Sequence, residues 1–112
     1  MSTNLTVHAT EKSTYIITAA FKNELGEAVT PKSITWTLTN TRGVVINDLE
    51  DVSVALPAAT INIVLTGDDL MIGTYGGKRI ITICSVYDSI YGSDLLLKDC
   101  GLFDVDNLVA II

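Results

Sequence analysis

The 112-residue chain carries one histidine, His8, and two cysteines, Cys84 and Cys100, and these bound the nucleophilic and metal chemistry open to it. A hydroxyl or thiol nucleophile needs a base within hydrogen-bond reach, so a small hydrolase would have to be built on His8 in a cleft with a partner. A structural zinc site takes four ligands at short paired spacings, which one histidine and two distant cysteines do not supply. Asp68 with Asp69, and Asp48 with Glu50 and Asp51, are carboxylates close enough for acid–base work or calcium. Neither group has the spacing of a calcium loop, and aspartates in such positions hydrogen-bond their own turns. Gly76-Gly77-Lys78 lacks the glycine spacing of a phosphate loop and leads into a strand, which makes it a turn. Tyr75, Tyr87 and Tyr91 could line a sugar-binding surface, but core packing accounts for them more simply. We therefore assign no catalytic residue, no metal ligand and no cofactor, and expect a protein that is not an enzyme.

The elements that would position any site are strands. Ile (13), Val (10) and Thr (14) make about a third of the chain, and β-branched residues suit a pleated sheet better than a helix. Apolar and polar residues alternate in short segments separated by Gly, Asn and Asp. In 33–40, SITWTLTN, Ile34, Trp36 and Leu38 share one face; in 14–22, Tyr15, Ile17, Ala19 and Phe21 do so. Strands are expected over 5–9, 44–47, 52–56, 60–66, 78–88 and 95–105 as well, with turns at Asn23–Glu27 and Thr41–Gly43. Residues 67–73 suit one helical turn, and no longer helix is expected. Seven to nine short strands in one domain, residues 1–112, predict an all-β, two-sheet antiparallel sandwich.

Charge excludes some partners. The net charge is −6 with a pI near 4.4, which opposes a surface that tracks phosphates, so nucleic acid is not an expected partner. Residues 1–47 hold four cations and three anions, and 48–112 hold three cations and ten anions. No apolar run approaches the roughly 20 residues that span a bilayer, so no membrane partner is expected. The first fifteen residues, MSTNLTVHATEKSTY, lack the cationic start and apolar stretch of a secretory signal. Cys84 and Cys100 could face each other across a hairpin, but without export two buried thiols are the favoured state.

The informative anomaly is that some strands are apolar on both faces, whereas an isolated sandwich keeps its outward faces polar. In 78–88 one phase holds Ile81, Ile83 and Tyr87, and the other holds Ile80, Cys84 and Val86. In 95–105 Leu95 and Leu97 oppose Leu96, Cys100 and Leu102. Charged residues are 18% of the chain against about 25% in ordinary domains, and mean hydropathy is +0.44. Residues 108–112, LVAII, form a strongly apolar tail that either packs on its own domain or docks on a neighbour. The expected interface comprises Ile80, Val86, Leu96, Leu102, Leu108, Val109, Ile111 and Ile112, and it implies a homo-oligomer.

Trp36 in an alternating strand resembles the core tryptophan of the immunoglobulin-like sandwich, and Gly73-Thr74-Tyr75 resembles the end of its tyrosine corner. Met71 and Gly77 stand where that pattern has Asp and Cys, so an inter-sheet disulfide is not expected. The succession TYIITAAFKNELGEAVTP, SITWTLTNTRGVVIN, TINIVLTGDDL and GKRIITICSVYDS resembles small immunoglobulin-like virion proteins of tailed bacteriophages. The resemblance implies a non-enzymatic structural subunit of the virion, assembled in the host cytoplasm. It implies a decoration or head-stabilising subunit of the capsid that packs on other virion or capsid proteins. The alternatives are a neck or tail subunit and a carbohydrate- or cell-surface-binding module.

Overall fold

A computed structural model describes residues 2–4 and 8–106, with no side-chain description for residues 2–4 and Thr74. Eight strands carry it: β1 (Ser2–Asn4), β2 (Ala9–Thr10), β3 (Thr14–Ala20), β4 (Ser33–Thr39), β5 (Val52–Ser53), β6 (Thr60–Thr66), β7 (Lys78–Ser89) and β8 (Gly92–Asp106). The protein is all-β. The larger sheet runs β1-β8-β7-β4-β5, with β2 also on β8, and β3 pairs with β6 in a separate two-stranded sheet. The long axis of 53 Å matches the 15 residues of β8 at about 3.4 Å each, so the β7–β8 hairpin runs the length of the molecule.

Pairing departs from the antiparallel expectation in one place. β1 and β2 lie parallel to β8, with Ser2 opposite Cys100 and Ala9 opposite Val105, so the larger sheet is mixed. Parallel neighbours need a long connection, and here most of the chain separates them. The expected strand over 5–9 becomes β2 at its end, residues 5–7 lying outside the described residues. The expected strand over 44–47 is reduced to a single bridge, Thr39 to Val45, because Asn47 and Asp48 turn into positive φ.

Alternation decides what is buried. Tyr15, Ile17, Ile61, Ile63 and Leu65 face Ile34, Trp36, Leu38, Ile81, Phe103 and Val105 to form one core. Tyr15 stacks on Phe103 with ring centroids 4.6 Å apart. The helical segment is longer than one turn: a 3-10 turn over Gly67–Leu70 buries Leu70 completely, and α1 (Ile72–Tyr75) follows. Tyr75 therefore closes a helical turn, and Arg79 lies 5.7 Å from its ring centroid.

Arg79 is wholly buried. Its guanidinium donates to the carbonyls of Met71 (2.6 Å), Gly76 (2.7 Å), Lys78 (3.0 Å) and Asp69 (3.2 Å), tying both helical turns to β7. Burial pushes its pKa down from the ordinary value.

Candidate interaction surface

The register of the larger sheet sets its outer face row by row. Ser33, Val86 and Leu96 form one row; then come Thr35, Cys84 and Lys98; Thr37, Thr82 and Cys100; and Thr39, Ile80 and Leu102. Because β4 contributes only hydroxyl residues, the apolar positions of these rows lie on β7 and β8. They form two cross-strand pairs, Val86–Leu96 and Ile80–Leu102, at either end of a middle occupied by Thr82, Lys98 and the cysteines. Leu96 is 67% exposed; Ile80, Val86 and Leu102 are half-buried. The structure thus brings together the four strand positions of the expected interface. Leu108, Val109, Ile111 and Ile112 lie outside the described residues.

Cys84 and Cys100 sit on this outer face in successive rows, diagonal to each other, and are not joined in a disulfide. A diagonal pair is about 7–8 Å apart, beyond the usual span of a disulfide. Both are half-buried where the sequence suggested full burial, because the cysteine phase of the hairpin is the outward one.

A second apolar area lies on the other sheet. Ile16 and Val64 pair directly and are 57% and 53% exposed. Sequence reasoning passed over them because it followed only the inward phase; the signal was the β-branched residue between two core positions in YIIT and NIVL. Beside this sheet an open groove of about 330 Å³ separates the edge of β3 from β7 and β8. Ile17, Ala19, Phe21, Ile83 and Leu97 line it, with Asp99 among them.

The candidate chemical groups are engaged otherwise. His8 Nδ1 lies 2.9 Å from Asp106 Oδ1, and Nε2 lies 3.6 Å from Asp104 Oδ2, so both ring nitrogens meet carboxylates. Lys78 Nζ donates to Asp104 Oδ1 at 2.7 Å, and this bond holds the Asp104 carboxyl below its usual range. These side chains line a shallow polar groove with Thr41 and Arg42. Asp69 accepts from the Thr66 amide (3.0 Å) and from Asn47 Nδ2 (2.8 Å), a turn and cap role. Gly76, at φ 86°, makes the turn into β7.

The tyrosines do not share a face. Tyr87 is buried and its hydroxyl donates to Glu24 Oε2 at 2.6 Å, whereas Tyr91 is 65% exposed at the hairpin tip. The bonds from Ser89 and Tyr87 lower the Glu24 pKa, and the same carboxylate raises that of Tyr87. At the same end Lys32 reaches Asp94 (2.5 Å) and Asp88 (3.5 Å). No protein-family model, curated protein or solved structure matches this chain.

Proposed function

We propose that this protein is an immunoglobulin-like, non-enzymatic packing subunit of a tailed-phage particle, seated on the capsid and held there by protein–protein burial. The strand order supports the fold reading. Third, sixth and seventh strands of an immunoglobulin sandwich share a sheet, as β4, β7 and β8 do when β1 and β2 count as the first strand. The second and fifth share the opposing sheet, as β3 and β6 do, and Trp36 is buried on β4. The observation that carries the functional reading is the outward apolar phase of the hairpin, with Leu96 at its most exposed point. Apolar area of this kind on a protein with few charges is covered in assemblies. The virion setting rests on the resemblance in layout.

Leu96→Asp tests the packing reading, since a residue this exposed can change without disturbing the core. Burying a leucine in full is worth about 1.5–3 kcal/mol, and the exposed two-thirds about 1–2 kcal/mol. The substitution should therefore weaken self-association, read by sedimentation velocity, at least 5- to 30-fold, with an unchanged urea midpoint. Equal association by the two proteins would refute the role of this face.

A further inference from the structure

We infer that the groove beside β3 is a strand-acceptor site, and that its occupant is residues 108–112 of a second copy of this chain. The inference rests on the packing reading above and names a second contact for it. Its first ground is the backbone of β3. The Phe21 amide donates to the Ala59 carbonyl, and with Ala20 opposite Thr60 this makes Ala19–Ile61, Ile17–Ile63 and Tyr15–Leu65 the hydrogen-bonded pairs of the ladder. The amides and carbonyls of Ile16, Thr18 and Ala20 then point away from β6, toward the groove side. β3 has no other strand partner among the described residues, so a five-residue edge stands ready for strand addition.

The second ground is the fit of the occupant. Leu108-Val109-Ala110-Ile111-Ile112 has five residues, no Gly, Pro or charge, and three β-branched side chains. It spans about 17 Å as a strand, the length of Ile16–Ala20. Its inward side chains would meet Ile17, Ala19, Ile83 and Leu97, which line the groove.

The third ground is reach, which separates a second copy from the chain's own tail. Tyr15 lies against Phe103, and the groove runs from there toward Leu97 and Asp99, so β3 is antiparallel to β8. Asp99 is seven residues, or about 24 Å, back along β8 from Asp106. A tail that reversed after Asp106 would spend about two residues on the turn and reach only about 13 Å with the next four. Residues 108–112 are tethered at that distance whatever follows Ile112. The chain's own segment would also run parallel to β3, the weaker pairing, while a neighbour's can enter antiparallel.

Two full-fold variants test this by sedimentation velocity. Deleting 107–112 leaves an acceptor without a donor. Thr18→Pro leaves a donor whose groove edge has lost an outward amide that the β3–β6 ladder does not use; Ala20→Pro repeats the test should Thr18→Pro not fold. The wild-type chain should associate, each variant alone should associate more weakly than wild type with a cooperative urea transition, and the mixture should regain association through one donor and one acceptor per pair. Association of the deleted chain at wild-type strength, or a mixture that associates no more strongly than either variant alone, overturns the inference. A monomeric wild type whose deletion lowers only its urea midpoint overturns it too, in favour of the chain's own tail. If the deleted chain associates as strongly as wild type and Leu96→Asp does not, this inference fails and the packing reading stands; if neither change affects association, both fail.

Discussion

Replacing Arg79 with Met should cost more stability than any change on the outer surface. The side chain is fully buried and holds the carbonyls of Asp69, Met71 and Gly76, from three points of the segment between β6 and β7. Methionine fills most of the volume but donates nothing, so these three carbonyls and that of Lys78 lose a charged donor. Each stranded carbonyl costs about 1–3 kcal/mol, and water reaching some of them brings the total to about 3–5 kcal/mol. A domain of this size holds about 6–15 kcal/mol in all, so between about a fifth and most of it would be lost, with a fall in Tm of roughly 12–20 °C. Trp36, the single tryptophan and only 9% exposed, reports unfolding in urea by its fluorescence. Arg79→Lys keeps the charge but not the fork of donors, and should recover less than half. Lys78→Met, which removes an exposed ion pair to Asp104, should cost under about 1 kcal/mol. An Arg79→Met protein within about 1 kcal/mol of wild type would refute the claim that the guanidinium organises this segment.

Asn40, 3% exposed, accepts from the amides of Arg42 (2.9 Å) and Val44 (3.0 Å) and donates to the Tyr75 carbonyl (3.3 Å). Asn40→Ala should cost about 2–3 kcal/mol in urea unfolding, and Asn40→Asp, which keeps the acceptor, should restore part of it. The Glu24–Tyr87 contact gives a pH signature. Glu24 is shifted below its ordinary 4.5, so its contribution is present above that value and fades as pH falls through the lower folded one. Tyr87 is shifted above 10.0, so its contribution is present below that value and fades as pH rises through the higher folded one. The gap in urea midpoint between wild type and Tyr87→Phe should hold steady from about pH 5 to 9 and narrow toward either extreme. A gap that widens in acid would contradict the assignment.

Much of the secondary structure was legible because side chains alternate with period two along a strand. The expected 60–66 coincides with β6, and the expected 14–22, 33–40 and 78–88 differ from β3, β4 and β7 by two residues or fewer. Two-sidedness of the hairpin was legible in the same way, since two apolar phases cannot both face one core. The groove was not, because it arises from the mismatch between a two-stranded sheet and the wider sheet opposite. Arg79 was half legible. It falls in phase with Ile81 and Ile83, an inward position, but its acceptors come from residues that only the two helical turns bring within reach.

Sequence alone determined which residues of each strand are apolar, where most turns fall and how little charge is present to cover the surface. Those are local properties, set by residue type and by a repeat of two. Tertiary structure decided which phase of the hairpin faces outward, that β1 and β2 run parallel to β8, and that β3 has no second strand beside it among the described residues. These depend on contacts between segments far apart in the chain, and pairing of that kind is governed by loop closure and shared burial, which no window of neighbouring residues contains.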